Sequence, residues 1–223
     1  MMEFVVTADG SKTLYHPGIG EHYHSRHGAV QESRHVFVGM GLEHSVTQSQ
    51  VDSLAILEVG FGTGLNFLLS AAHCTKHGLR LNYTGIEAFP LPLDTLKQTG
   101  YDAYSTPALW TAFLSRYEES LKAPQLLDAG NQLRVIPIDI AQFASDQAYD
   151  ILYFDAFAAV HQPEMWSAEI LRHICQFLKP GGIFVTYAIT GQLKRTMKAL
   201  GFTVEKIPGA PGKREMLRAV KTP

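Results

Sequence analysis

The feature that most constrains the fold of this chain is a glycine-rich turn, Gly60-Phe61-Gly62-Thr63-Gly64, which lies between two apolar segments. The short apolar run at residues 56–59 predicts a buried parallel strand, and the apolar positions after Gly64 predict a helix. Glycines at alternate positions let the backbone turn sharply, so a ligand can lie against main-chain N–H groups at the helix N-terminus. The turn therefore predicts a nucleotide-type binding loop, and a turn that only joins strand to helix is the alternative.

The spacing of the three glycines narrows the choice of ligand. The dinucleotide fingerprint is Gly-x-Gly-x-x-Gly, whereas here the third glycine comes one residue early and Leu65 stands in its expected place. NAD is therefore disfavoured. Glu58, two residues before Gly60, instead suits a ligand with a cationic head, such as the ammonium and sulfonium groups of S-adenosylmethionine (SAM).

Length and composition predict one α/β domain, with at most a small appendage. The chain has 223 residues and a formal net charge of -2, and no apolar run approaches the length of about 18 residues that a membrane span needs. Because the chain is not basic overall, any contact with nucleic acid has to depend on local Lys and Arg residues. Glu3 and Asp9 argue against a signal peptide, and we expect the two cysteines, Cys74 and Cys175, to be reduced. These observations predict a cytoplasmic protein without a membrane span.

The first 45 residues predict a small appendage that precedes a main domain at residues 46–223. Residues 4–7 and 12–15 have the character of short strands, and the Asp9-Gly10 pair between them is a strong hairpin signal. Residues 28–42 have helical spacing. The appendage is therefore expected to be a β-hairpin and a helix.

The loop between this hairpin and this helix contains His22, His24 and His27, which invite a zinc-site interpretation. No cysteine or second ligand cluster follows at a suitable spacing, and Glu21 is the only carboxylate nearby. We therefore favour hydrogen bonding and stacking in a pocket wall, with an ordinary polar loop as the alternative, and we expect no metal.

Three acidic residues follow predicted strands, at the edge where ligands bind in open α/β sheets. Glu87 ends one strand and can accept both ribose hydroxyls of a nucleotide, unless it is a free surface glutamate. Asp139 follows the next strand, where contact with the adenine amino group and capping of the following helix are equally good explanations. Asp155 follows the strand at residues 149–154, beside the glycine-loop strand of a doubly wound sheet. Asp155 is therefore the catalytic candidate, and a capping aspartate is the alternative.

The late part of the chain predicts a further helix at residues 163–178, which Lys179-Pro180-Gly181-Gly182 ends, and then a strand at residues 183–187. Two short basic clusters follow, Lys194-Arg195 and Lys213-Arg214. They are the best candidates for phosphate contacts, although a solvated surface position is the commoner role of such a run.

With these residues in view, the chain resembles the methyltransferase half of the tRNA-modifying MnmC proteins, whose stand-alone form is called MnmD. The likeness extends over nearly the full length, and several of its segments are more specific than the glycine motif. They include Asp9-Gly10-Ser11, residues 21–25, Glu32-Ser33-Arg34, residues 60–66, Glu87 with Phe89-Pro90-Leu91, Asp155-Ala156-Phe157-Ala158, Pro163-Glu164-Met165-Trp166, Pro180-Gly181-Gly182 and Gly212-Lys213-Arg214-Glu215-Met216.

The resemblance implies a Rossmann-like class I methyltransferase fold, in which a mostly parallel sheet with a reversed last hairpin has helices on both faces and a small N-terminal β element. It implies SAM as donor and methylation of 5-aminomethyl-2-thiouridine to 5-methylaminomethyl-2-thiouridine at the wobble position of tRNA, with a separate enzyme supplying the amine. Together with the residues above, it predicts Asp155 and Phe157 as the catalytic residues. The predicted donor-binding residues are Glu58, Gly60, Gly62, Gly64, Asn66, Glu87, Asp139, Tyr23 and Ser25. The predicted tRNA-binding residues are Lys194, Arg195, Lys213 and Arg214.

In this interpretation Asp155 removes the proton of the amine, and Phe157 stacks on a flipped uracil. Two other functions remain open from the sequence. One is a SAM-dependent methyltransferase for a small-molecule or protein amine, which would not require tRNA. The other is a non-catalytic RNA-binding module on the same fold, which would not bind SAM.

Overall fold

The structure, a computed structural model, describes residues 2–48 and 51–223. The N-terminal segment forms a three-stranded antiparallel sheet of β1 (Glu3–Val6), β2 (Lys12–His16) and β3 (Glu21–His22). Asp9 closes the turn between β1 and β2, because its Oδ1 accepts a hydrogen bond from the Ser11 N–H at 3.0 Å. The hairpin predicted from Asp9-Gly10 is confirmed.

A long helix follows this small sheet. It consists of α1 (Ala29–Ser33), a π-helical stretch (Arg34–Glu43) and α2 (His44–Gln48). Gly41 lets this helix approach the main sheet closely, since a Cβ at that position would lie 3.0 Å from Val185 Cγ1. The helix predicted at residues 28–42 is confirmed, and it extends further than predicted. The domain boundary predicted between residues 45 and 46 falls inside α2 and stays a prediction.

The main sheet has eight strands, and they are β4 (Ser53–Val59), β5 (Arg80–Ile86), β6 (Gln125–Leu126), β7 (Asn131–Ile136), β8 (Tyr149–Phe154), β9 (Leu178–Thr186), β10 (Phe202–Pro208) and β11 (Glu215–Lys221). Their spatial order is β10-β11-β9-β8-β4-β5-β7-β6. The centre of the sheet is parallel, whereas β11 is antiparallel to both of its neighbours, β9 and β10, and β6 is antiparallel to β7.

Each face of the main sheet has its own apolar core. Phe37 of the N-terminal helix shares the first core with Phe67 and Phe113, and Ile174 and Met197 belong to the second core. The predicted class, a mostly parallel sheet with helices on both faces, is therefore confirmed. The other helices are α3 (Leu65–His77), α4 (Leu93–Lys97), α5 (Pro107–Ser120), α6 (Ala168–Cys175) and α7 (Gly191–Ala199), with short 3-10 turns at Tyr101–Tyr104, Ile140–Gln142 and Pro163–Trp166.

One predicted element is wrong: residues 163–178 do not form a single helix. A 3-10 turn from Pro163 to Trp166 ends at Ser167, whose extended backbone and side-chain hydrogen bond to the Ile170 N–H start α6. Leu178, predicted as the last helical residue, instead begins β9 and pairs with Tyr149. The Pro-Gly-Gly segment lies within β9, where the pairing register with β8 shifts.

Three of the parallel strands, β4, β5 and β8, end at the same position along the sheet. Val59, the last residue of β4, pairs with Ile86 at the end of β5 and with Phe154 at the end of β8. The residues that follow these strands therefore meet at the same edge of the sheet, and they are Gly60, Glu87 and Asp155.

Candidate active site

A cavity of about 880 Å³ opens at the carboxyl ends of the parallel strands. Its volume lies in the range of small-molecule sites, which is about 300–1,000 Å³. At one end, which we name the glycine-loop end, it is lined by residues 60–62, 86–89 and 138–141. At the other, which we name the Asp155 end, it is lined by residues 21–26, Glu32, 155–157, Tyr187 and Lys213. Six carboxylates line it, which suits cationic ligands: Glu21, Glu32, Glu87, Asp139, Asp155 and Glu164.

The glycine loop lines the cavity, and its first three N–H groups are bonded within the protein. Gly60 has a φ of 85°, and a Cβ there would lie 2.5 Å from the backbone oxygen of Asp155. The Gly60 and Phe61 N–H groups donate to the Ile86 oxygen at 3.0 and 3.2 Å, and the Gly62 N–H donates to Glu87 Oε2 at 2.9 Å. These three N–H groups are therefore bonded within the protein, and contact between a ligand and the N–H groups at the helix N-terminus stays a prediction.

Glu87 and Asp139 both line the glycine-loop end. Both Glu87 oxygens already accept backbone N–H groups, from Gly62 at 2.9 Å and from Phe89 at 3.0 Å, which fixes the carboxylate while each oxygen keeps a second lone pair. Asp139 accepts the Ala141 N–H through Oδ1 at 2.8 Å and caps a 3-10 turn. The capping role that the sequence left open for Asp139 is thus present, together with exposure to the cavity.

Asn66 connects two carboxyl groups at the Asp155 end. Its Nδ2 donates to Glu58 Oε1 and to Asp155 Oδ2, at 2.8 Å each. Glu58 is only 1% exposed, and burial raises its pKa well above the ordinary range, with the nearby Asp155 adding to the rise. Burial therefore disfavours the charged form of Glu58, which does not line the cavity, and its contact with a cationic ligand stays a prediction.

Asp155 is partly exposed to the cavity and is strongly perturbed. Burial raises its pKa to about 8, and Glu32 adds to the rise, whereas the hydrogen bond from Asn66 and the Lys213 ammonium lower it. A carboxyl group with a pKa near neutrality can both accept and release a proton under ordinary conditions. A pKa in this range is suited to general acid–base chemistry, and the catalytic role of Asp155 stays a prediction.

The segment after Asp155 is held in place at three successive residues. Tyr187 donates its O–H to the Ala156 oxygen at 2.9 Å. Trp166 Nε1 donates to the Phe157 oxygen at 2.8 Å, and Glu21 Oε2 accepts the Ala158 N–H at 2.8 Å. Bonds from three separate parts of the chain therefore fix the loop that carries Asp155.

Aromatic rings form one wall of the Asp155 end. The centroid of the Phe157 ring lies 5.2 Å from that of Tyr23 and 6.1 Å from that of His16, in edge-on arrangements. His24 also lines the cavity, and burial lowers its pKa to about 4, so that it is neutral near pH 7. A wall of this kind offers a flat planar group both stacking and edge contacts.

The structure brings most, though not all, of the predicted site residues together. Among the described residues, the cavity lining includes nine of them, and these are Tyr23, Ser25, Gly60, Gly62, Glu87, Asp139, Asp155, Phe157 and Lys213. Six predicted site residues are not part of that lining, and these are Glu58, Gly64, Asn66, Lys194, Arg195 and Arg214. The functional roles of all fifteen stay predictions.

Four further residues hold the site, and the sequence reasoning assigned them no role: Glu21, Glu32, Trp166 and Tyr187. All but Tyr187 lie in the segments that carry the family resemblance, and this was the available signal. Their contacts join parts of the chain that are distant in sequence, such as Glu32 and Lys213 at 2.7 Å. Periodicity and local spacing carry no information about such pairs.

The structure shows where two of the three loop histidines and both cysteines lie, and whether the described helices could span a membrane. His22 and His24 line the cavity, and the His22 ring lies 4.9 Å from Tyr15. Within residues 2–48 and 51–223, His, Cys, Asp and Glu side chains form no group of three or more that could hold a metal ion. Cys74 and Cys175 are buried and free. No helix in the described part of the chain has the length and apolar character needed to cross a bilayer.

The chain is similar in sequence to curated proteins named MnmC. The tRNA 5-methylaminomethyl-2-thiouridine biosynthesis bifunctional protein MnmC of Ectopseudomonas mendocina (strain ymp) is 32% identical over 216 residues, which cover 89% of this chain and 32% of that protein. The protein of the same name from Methylobacillus flagellatus is 32% identical over 219 residues, which cover 91% of this chain and 33% of that protein. The chain thus spans about a third of the length of the curated relatives it matches.

Solved structures and a family profile agree with this result. MnmC2 from Aquifex aeolicus is 27% identical, with a TM-score of 0.78 over 100% of this chain and 72% of that one. The sugar N-methyltransferase KedS8 from Streptoalloteichus is 12% identical, with a TM-score of 0.52 over 86% and 87% of the two chains, and it shares the fold. The profile of a family described as S-adenosyl-L-methionine-dependent methyltransferase matches residues 104–222, more than half of the chain. The resemblance to MnmC is confirmed, and the chain belongs to the S-adenosyl-L-methionine-dependent methyltransferase family.

Proposed function

We propose that this enzyme methylates the amine of 5-aminomethyl-2-thiouridine at the wobble position of tRNA and gives 5-methylaminomethyl-2-thiouridine. The name of the MnmC relatives, which contains this product, supports the substrate. The observation that carries the chemistry is Asp155, a carboxyl group with a pKa of about 8 at one end of a cavity lined by carboxylates. Such a group is suited to remove a proton from an ammonium substrate.

SAM fits the glycine-loop end, since the loop has room for a ligand and Glu87 and Asp139 both line that end. In our proposal Glu87 accepts the ribose hydroxyls through its remaining lone pairs, and Asp139 accepts the adenine amino group through the oxygen that does not cap residue 141. Tyr23 and Ser25, which line the adjoining Asp155 end, complete the donor site from the N-terminal segment, and Tyr23 lies beside Gly62. When bound, SAM supplies an electrophilic methyl group on a sulfonium.

At the Asp155 end, the residues of this chain prepare the acceptor. An alkylamine is mostly protonated near neutral pH and has no free lone pair in that state. Asp155 takes one proton from the ammonium. The NH₂ group then turns about its C–N bond, so that one N–H bond faces the carboxyl group and the lone pair points away from it. Phe157 stacks on the uracil ring, and the three bonds that fix its loop hold this stack at the distance that transfer requires.

We also propose that Lys194, Arg195 and Arg214 contact phosphates of the tRNA. Arg195 and Arg214 are exposed and Lys194 partly so, and none of them lines the cavity. In this proposal a separate enzyme supplies the aminomethyl precursor. The place of action is the cytoplasm, which is consistent with the two buried free cysteines.

The test is methyl incorporation from labelled SAM into tRNA from cells that lack this modification, followed by nucleoside analysis. We expect label in 5-methylaminomethyl-2-thiouridine, and none when the substrate is the free nucleoside. Label that appears in a small-molecule or protein amine without tRNA would point to the other methyltransferase function. Calorimetry that detects no SAM binding would support a non-catalytic module.

A further inference from the structure

Lys213 does not lie on an exposed basic patch but at the Asp155 end of the cavity. Its Nζ is 2.7 Å from Glu32 Oε1 and 3.8 Å from the centroid of the Tyr187 ring. The Glu32 side chain is 8% exposed and the Lys213 side chain 35%. An ammonium that is paired with a buried carboxylate and an aromatic face is already engaged by protein groups, which does not suit a phosphate contact.

The loop that carries Lys213 is also fixed. The Lys213 N–H donates to the Ala210 oxygen at 2.8 Å, which closes a turn between β10 and β11. Gly212 packs against the N-terminal segment so tightly that a Cβ there would lie 2.5 Å from His27 Cδ2. The backbone thus holds the Lys213 ammonium at the cavity wall.

Charged and polar groups reach Asp155 from every element around it. Glu32 comes from α1 and Glu21 from β3, and both carboxylates disfavour its ionised form, whereas Asp155 itself raises the pKa of Glu58 on β4. Asn66 of α3 donates a hydrogen bond to Asp155, and the Tyr187 O–H donates to the backbone oxygen of Ala156, the residue after Asp155. Lys213 is the cation that lowers the pKa of Asp155. Its charge therefore opposes that of Glu32 at this carboxyl group.

We propose that Lys213 is a positioning residue for methyl transfer, whose ammonium favours the ionised Asp155 carboxylate that accepts a proton from the acceptor ammonium. The inference rests on the proposed function. The acceptor ammonium gives one proton to the Asp155 carboxylate. The nitrogen lone pair then forms a bond to the methyl carbon while the carbon–sulfur bond breaks and its electron pair stays on sulfur. The secondary ammonium that results leaves with the tRNA, and Asp155 returns its proton to solvent.

Opposite substitutions at the ion pair test this role. Lys213→Met removes the cation and leaves Glu32 unopposed, so the acid limb of the pH profile of kcat/KM moves upward. We expect a shift of about 0.5–1 pH unit. An unpaired opposite charge typically lowers the pKa of a neighbouring carboxyl group by about 1–3 units, and the effect is smaller here because Lys213 is paired with Glu32. Glu32→Gln removes the anion, and the same limb moves downward. Lys213→Arg keeps the charge, so the midpoint of its acid limb equals that of the wild type. The comparison of Lys213→Met with Lys213→Arg keeps the test decisive if Glu32→Gln does not fold.

A matched control is available on the same hairpin. Lys206 pairs with Glu215 at 3.5 Å and lies outside the cavity lining, so Lys206→Met leaves the midpoint unchanged. If Lys213 contacts phosphate instead, Lys213→Met reduces the salt slope of tRNA binding by about 1 and does not move the pH profile, and this result overturns the proposal.

A readout without catalysis separates this inference from the proposed function. In protein labelled with 13C at the aspartate carboxyl carbons, the Asp155 signal is assigned by its loss in Asp155→Asn, and its titration midpoint is then measured. We expect Lys213→Met to raise this midpoint and Glu32→Gln to lower it, even if tRNA proves not to be the substrate. Equal midpoints in all three proteins would overturn the role of Lys213 whatever the substrate is.

Discussion

The two ends of the cavity are built in different ways. The glycine-loop end consists of three turns that each follow a parallel strand, and its bonds lie within these turns or between neighbouring ones, such as those from Phe89 and Gly62 to Glu87. The Asp155 end is assembled from distant segments, since Glu21 bonds to Ala158 and Glu32 to Lys213. The glycine-loop end thus follows from the order of the parallel strands, whereas the Asp155 end depends on contacts between segments that are distant in the sequence.

The largest expected effect belongs to the Asp155 end. Asp155→Asn keeps the shape and the contact with Asn66 but removes the base, so kcat falls by about 10²–10⁴-fold while the affinity for SAM is retained. Single-turnover methylation and calorimetry measure the two quantities. Unchanged turnover would remove Asp155 from the mechanism.

The same variant makes a prediction about stability. Since folding raises the pKa of Asp155 from 3.8 to about 8, the unfolded chain releases this proton first, and the wild-type protein loses stability as the pH rises between these two values. Asp155→Asn removes this loss, so its free energy of unfolding exceeds that of the wild type above about pH 8. Denaturant unfolding at several pH values measures the difference. Parallel curves for the two proteins would contradict the raised pKa.

The glycine-loop end is tested by Gly60→Ala. The new Cβ would lie 2.5 Å from the Asp155 oxygen, and a φ of 85° strains any residue other than glycine. We expect at least a tenfold loss of SAM affinity and a loss of stability greater than the roughly 1–3 kcal/mol of backbone strain alone. Gly78→Ala is the control, since its φ is 69° and a Cβ there has no neighbour within 4 Å among the described residues. Equal effects in the two variants would show that close packing at Gly60 is unimportant.

A smaller effect is expected from the bond that holds the Phe157 loop. Trp166→Phe keeps an aromatic ring against Phe154, whose centroid lies 5.0 Å away, but removes the hydrogen bond to the Phe157 oxygen. A bond worth about 1 kcal/mol predicts a roughly fivefold fall in kcat/KM for tRNA, with SAM affinity unchanged. Trp110→Phe on α5, outside the cavity lining, is the control. A fall in SAM affinity instead would mean that the two ends are coupled through this loop.

The contrast between the ends also explains what the sequence could predict. The strand periodicity, the three glycines and the acids at strand ends are local signals, and from them both the sheet and the positions of Glu87 and Asp155 are predictable. The burial of Glu58 and the pairing of Lys213 with Glu32 depend on how distant segments pack. The sequence interpretation therefore treated Glu58 as a ligand contact and Lys213 as a member of a basic patch. The helix predicted at 163–178 failed for a related reason, because the pairing of Leu178 with Tyr149 outweighed the helical periodicity.

The smallest effect concerns Asp139, for which the sequence offered two roles that a single substitution can separate. Asn is as good a helix N-cap as Asp, so Asp139→Asn keeps the hydrogen bond from the Ala141 N–H. The second carboxylate oxygen becomes an NH₂ group, which can no longer accept the adenine amino hydrogens. With about 1 kcal/mol for one such bond, SAM affinity falls roughly fivefold at unchanged stability. Asp139→Ala loses both the cap and the acceptor, so it lowers affinity and stability together. If Asp139→Asn binds SAM as the wild type does, capping is the whole role of Asp139, and recognition of the adenine depends on the backbone and on the apolar residues Ile138 and Ile140, which line the same end of the cavity.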